Sequence, residues 1–119
     1  MYNLKFQSSR RLRTAADFKQ IYRKCRKISY DTFLLRYKFV AAENPSRFGI
    51  VVSKKTAARA VDRNRIRRIA KECFRHKMNN STGLDIILTA NSVAKNISSS
   101  ELAACVYQIL DQFVKPASV

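Results

Sequence analysis

Six of the thirteen residues in RNRIRRIAKECFR, positions 63 to 75, are basic: Arg63, Arg65, Arg67, Arg68, Lys71 and Arg75. Glu72 is the single acid. Arginine outnumbers lysine five to one in this stretch. Its planar fork matches phosphate oxygens and stacks on bases, so the chemistry on offer is recognition of a phosphate-bearing polymer. Ile66, Ile69, Ala70, Cys73 and Phe74 recur between the cations at helical spacing. With Ile66 at 0° and a step of about 100° per residue, the other four fall within about 80° of it. Asn64, Arg68, Lys71 and Arg75 then cluster on the opposite side. Arg63/Arg67, Arg67/Lys71 and Lys71/Arg75 are like-charge neighbours, each costing a few tenths of a kcal/mol in an isolated helix. A solvated face normally mixes signs; this one awaits anions from outside the chain.

Other residues point the same way. Lys54, Lys55 and Arg59 lie where a strand hands over to this helix, within reach of phosphates meeting its first N–H groups. Plain solubility is the alternative reading for them. Phe18 and Tyr22 are four apart, as a base-stacking pair would be. They also share a helical face with Ile21 and Cys25, which makes core packing their default reading. Arg36 and Lys38 interrupt one face of an otherwise apolar strand, so that face is expected to be open and basic, able to hold a single strand. The alternative is an ordinary solvated hairpin face. No catalytic set is visible. His76 is the only histidine, the carboxylates are scattered, and no metal-ligand spacing or phosphate-cradling glycine loop occurs.

The totals bound the class. A chain of 119 residues, 46% hydrophobic, suits one domain with one core. Its formal net charge is +16, a self-repulsion that makes sense with a polyanionic partner. The excess is localised. Residues 1 to 27 carry nine basic residues and Asp17, net +8; residues 54 to 77 carry ten basic residues, Asp62 and Glu72, again +8; the rest is neutral. The longest apolar run, LAACVY at 102 to 107, is far too short to span a bilayer. MYNLKFQSSRRLR has no apolar core of a secretory signal. Cys25, Cys73 and Cys105 match neither a disulfide framework nor a zinc site, so a cytoplasmic location is expected.

The elements that must position these side chains read as follows. Thr14 with Asp17 forms a capping-box pattern ahead of a short helix over 14 to 25. FLLRYKFV, 33 to 40, alternates as a strand, AENPSR is a loop, and FGIVVS, 48 to 53, is a second strand, predicting a hairpin over 33 to 53. A long amphipathic helix covers 57 to 77 and NNSTG, 79 to 83, ends it. LDIILTA, 84 to 90, suits a strand covered on both faces. Ser98 and Glu101 cap a last helix that ends before Pro116. The expected fold is α+β: three helices on a small mixed central sheet in a two-layer sandwich. Residues 1 to 13 are read as a basic arm and 114 to 119 as a tail of this single domain.

RNRIRRIAKECFR closely resembles the signature helix of the protein subunit of bacterial ribonuclease P. ADFKQIY, with Phe18 and Tyr22, is similar to that family's first helix, and FGIVVSKK to its glycine-containing strand. ARAVDRNR then follows at the family's spacing, and the resemblance covers roughly residues 10 to 113. It implies a protein cofactor of an endoribonuclease that removes 5′ leaders from precursor tRNA, with the active site and its Mg²⁺ ions in an RNA subunit. The implied partners are ribonuclease P RNA and precursor tRNA, with one protein in the holoenzyme. Lys54, Lys55, Arg59, Arg63, Asn64, Arg65, Arg67, Arg68, Lys71 and Arg75 are then expected at RNA. Phe18, Tyr22, Arg36 and Lys38 are expected in a cleft for the leader. Where the family often has an aromatic residue in that cleft this chain has Arg36, which favours a phosphate contact. The resemblance also implies a left-handed crossover around the signature helix, against the usual right-handed preference. A ribosomal RNA-binding structural protein is the alternative, and a self-sufficient nuclease is disfavoured by the missing catalytic set.

Overall fold

The computed structural model describes residues 15–114. Its elements run α1 (Ala15–Arg23), β1 (Arg26–Ser29), β2 (Phe33–Phe39), β3 (Arg47–Val51), α2 (Ala60–Lys77), β4 (Leu84–Ala90), α3 (Ser92–Asn96) and α4 (Ser99–Asp111). The sheet order is β1-β2-β4-β3. β2 pairs antiparallel with β1 and β4, while β3 pairs parallel with β4. The sheet is therefore mixed, and β3–α2–β4 is its one parallel crossover unit.

The expected hairpin over 33 to 53 does not form, because β4 lies between β2 and β3. Its run Leu84, Asp85, Ile86, Ile87, Leu88 is buried at every position. A strand apolar on both faces is best covered when it is central and paired on both edges, and β4 takes that place. The hairpin is instead β1–β2, closed by Tyr30 N–H donating to the Phe33 carbonyl at 2.8 Å. β1 and the five-residue α3 carry too few residues for a periodic signal, and neither is expected from the sequence.

Alternation along the strands assigns the two faces. Phe33 and Leu35 of β2, Phe48 of β3 and Ile86 and Leu88 of β4 are buried in the main core. That core continues into Ile66, Ala70, Cys73 and Phe74 of α2 and Leu102, Val106, Ile109 and Leu110 of α4. Phe48 and Phe74 stack at 4.8 Å across it. The core face expected for the long helix is thus the one observed. On the other sheet face a small cluster joins Ile21 of α1 to Ile87 of β4, with Phe18, Cys25 and Val51 packed around them. α1 sits over that second face and leaves the rest of it uncovered by core.

Local signals explain the ends. α2 begins at Ala60 rather than 57 because Ser53 to Ala57 closes a turn first. Thr56 N–H donates to Ser53 Oγ at 3.1 Å and Ala57 N–H to the Ser53 carbonyl at 3.0 Å. After α2 the chain turns at Gly83, whose φ of +78° favours glycine. A Cβ there would also meet Ala42 Cα at 3.3 Å. Ser98 caps α4 as expected, accepting from Glu101 N–H at 3.2 Å. Thr14, the arm 1 to 13 and residues 115 to 119 of the tail lie outside the described residues, as does the Asp17 side chain.

Candidate nucleic-acid interface

The uncovered sheet face is built from the residues that alternate with the core. Strand register sets Lys27 opposite Arg36 and Arg36 opposite Ile87. Lys38 is opposite Asp85, and Asp85 opposite Arg47. Lys27, Arg36 and Lys38 are thus three cations on one face, and a directly paired Lys27–Arg36 is unfavourable unless something negative lies against it. The side chains there are organised. Arg36 lays its guanidinium over the Tyr22 ring, 4.8 Å from its centre, and Nη1 donates to Thr89 Oγ1 at 3.4 Å. Asp85 is 2% exposed and receives a bidentate fork from Arg47, Nε to Oδ1 at 3.1 Å and Nη2 to Oδ2 at 2.7 Å. Among the described residues, the buried carboxylate on this face is therefore already engaged by Arg47.

α1 forms the wall. Ile21 is buried, Phe18 is half-buried against it, and Tyr22 is 43% exposed. The Phe18 and Tyr22 rings lie 6.3 Å apart, tilted by 35°. The core reading of this pair fails for Tyr22, since Ile21 takes the core-facing position and Tyr22 turns to the rim. Phe18 keeps a share in packing. Together α1 and the strand face make a cleft with an aromatic wall and a cationic floor.

α2 divides its cations by flank and ridge. Arg63 Nη1 donates to the carbonyls of Ala57 at 2.9 Å and Ala58 at 2.8 Å. Arg67 reaches the Val52 carbonyl and Asn64 Oδ1, each at 3.5 Å. On the other flank Arg65 donates to Ser99 Oγ at 3.2 Å, the Lys95 carbonyl at 3.1 Å and the Ile97 carbonyl at 3.2 Å. Arg68 and Asn64 are exposed on the ridge. Among the described residues, Arg68 and Lys71 form no ion pair. Arg75 pairs with Glu72 at 3.6 Å. Lys54 and Lys55 are exposed in the turn before α2, and Arg59, at the helix entrance, reaches Asp62 only at 3.9 Å. Arg59 provides no side-chain cap, so the helix start keeps unsatisfied N–H groups beside these cations.

Lys27, Arg47, Asp85 and Thr89 belong to the cleft floor and were not singled out from the sequence. Lys27 is on a four-residue strand too short to be read. Arg47 and Asp85 are 38 positions apart, and only the parallel β3–β4 pairing brings them together. Among the described residues no group of three His, Cys, Asp or Glu could hold a metal ion, and no helix is long and apolar enough to cross a membrane. The three cysteines are unpaired. Burial pushes the Cys73 thiol up to about 11, the behaviour of a packing residue rather than a nucleophile.

Fold and site together define a class: a small basic α+β protein with one sheet face in the core and the other forming a cationic, aromatic-walled cleft. The family model for ribonuclease P matches residues 6–114. A ribonuclease P protein component from Coxiella burnetii is 34% identical over 102 residues, covering 86% of this chain and 84% of that one. The solved structure of the Staphylococcus aureus RNase P protein superposes with a TM-score of 0.79 at 29% identity, covering 89% of this chain and 96% of that one. The RNase P protein from Thermotoga maritima shares the fold, with a TM-score of 0.74 at 23% identity over 88% of this chain and 98% of that one. The chain belongs to the ribonuclease P protein family.

Proposed function

We propose that this chain is the protein cofactor of a ribonuclease P ribonucleoprotein. It binds the catalytic RNA through the basic region of Lys54, Lys55, Arg59 and α2, and the 5′ leader of precursor tRNA through the cleft of Phe18, Tyr22, Arg36 and Lys38. The observation that carries this reading is the pairing, in a ribonuclease P family member, of an unneutralised ridge around Arg68 with a cationic, aromatic-walled cleft. The ridge accounts for its like-charge cost, because RNA phosphates take the place of the missing acids. In the cleft, Tyr22 offers a ring to a leader base, while Arg36 and Lys38 meet the backbone. The protein supplies no reacting group. The RNA subunit holds the active site and its Mg²⁺ ions, and the protein promotes endonucleolytic hydrolysis by holding the leader and screening phosphate repulsion. It works as a monomer in the cytoplasmic holoenzyme.

Such binding depends steeply on salt. Neutralising about 6–10 phosphates makes affinity fall about 10³–10⁵-fold between 50 and 200 mM salt. The test is cleavage of a precursor tRNA by a bacterial ribonuclease P RNA at low Mg²⁺, with and without the protein. Cleavage at the mature 5′ end only when both are present is the expected result. Tight RNA binding that never stimulates cleavage would favour an RNA-scaffolding protein such as a ribosomal one. Cleavage by the protein alone would place the chemistry in the chain.

A further inference from the structure

The signature stretch invites the assumption that all of its arginines serve RNA. The geometry separates them. Arg65 is half-buried and its two terminal nitrogens reach three acceptors: the Lys95 and Ile97 carbonyls, at the end of α3 and just past it, and Ser99 Oγ at the start of α4. Cations favour the carbonyl end of a helix, where the last C=O groups lack partners. Arg63, in contrast, makes both its contacts through a single nitrogen and leaves most of its fork unused. On the helical wheel Arg65 lies on the flank toward α3, while Asn64 and Arg68 lie on the exposed ridge. The corner that Arg65 holds, residues 91 to 100, contains no acid and one cation, the exposed Lys95. The rest of its exposed surface is Val93, 44% exposed, with serines and asparagines, and these polar groups are suited to backbone contact with a nucleic acid.

We infer that Arg65 is a positioning residue, holding the α3–α4 corner against α2, and that Lys95 on that corner is the phosphate contact on this flank. The inference rests on the RNA-binding reading of α2 and adds α3 to the surface that the RNA covers. A guanidinium is needed at position 65 because a lysine, a single point on a flexible stem, cannot span the three acceptors.

The experiment measures binding of a bacterial ribonuclease P RNA transcript across a salt series, together with amide hydrogen exchange of the free protein. It compares wild type, Arg65→Gln, Arg65→Lys, Lys95→Gln and Arg68→Gln. Removing a phosphate contact makes the slope of log affinity against log salt shallower by about one. The expected result is that shallower slope for Lys95→Gln and Arg68→Gln, with exchange at residues 92 to 99 unchanged. Arg65→Gln and Arg65→Lys keep the wild-type slope and speed exchange at those residues. Arg65→Lys retains the charge, so it carries the test if the glutamine variant does not fold. A shallower slope for Arg65→Gln with unchanged exchange, or an unaltered slope for Lys95→Gln, overturns the inference. Absence of salt-dependent binding by the wild-type protein would instead remove the RNA-binding reading on which it rests.

Discussion

Replacing Tyr22 by alanine separates the cleft's function from the stability of the helix that carries it. The Tyr22 ring is 43% exposed, and its described ring contacts are the Arg36 guanidinium at 4.8 Å and the tilted Phe18 ring at 6.3 Å. An exposed cation–π contact contributes about 0.5–1 kcal/mol, and an aromatic pair one turn apart about 0.2–0.5 kcal/mol. Tyr22→Ala should therefore lower unfolding stability by no more than about 1–2 kcal/mol. Its neighbour Ile21 is 1% exposed, and Ile21→Ala should cost about 2–5 kcal/mol. Stacking of one base on an aromatic side chain contributes about 1–3 kcal/mol, so leader binding should weaken about 5- to 150-fold. The assay compares dissociation constants of the holoenzyme for precursor tRNA and for mature tRNA lacking the leader, alongside urea unfolding of the free protein. The loss should appear for the precursor alone. An equal loss for both RNAs, or a stability cost matching that of Ile21→Ala, would refute a leader-facing Tyr22.

Two further outcomes follow from buried groups. Arg47→Ala strands the 2%-exposed Asp85 carboxylate, and breaking such a pair from one side costs about 3–5 kcal/mol. Lys38, in register on the other side of Asp85, should hold the loss near about 3 kcal/mol, measured by urea unfolding; a cost within about 0.5 kcal/mol of zero would show that the pair is solvated. Burial raises the Cys73 thiol from 9.0 to about 11, so the unfolded chain releases this proton first as pH rises. The protonated thiol therefore contributes fully below pH 9, and its contribution, up to about 2–3 kcal/mol, disappears between pH 9 and 11. Cys73→Ala should flatten that part of the pH–stability curve, and an unchanged slope would contradict the assignment.

The amphipathic period of 57 to 77 was enough to identify both the core face and the basic ridge of α2, because a single helix fixes which of its residues share a side. The same holds for β2, whose alternation separates Phe33 and Leu35 from Arg36 and Lys38 whatever its neighbours are. The nearly continuous apolar run of β4, broken only by Asp85 before Thr89, likewise marks a strand covered on both faces. Local patterns do not encode who pairs with whom. The order β1-β2-β4-β3 emerges from burying β4 on all sides, and it replaces a hairpin that sequence proximity favoured. That pairing makes the cleft floor by joining Arg47 to Asp85 and Lys27 to Arg36. The fate of each cation was equally beyond the sequence. Arg65 and Arg68 differ by three positions and share one charge, yet one meets three acceptors from the α3–α4 corner while the other stands exposed. Composition and period determined that the chain carries a cationic face. Only tertiary packing, by supplying backbone carbonyls to some guanidinium groups and not to others, decided which cations remain on it.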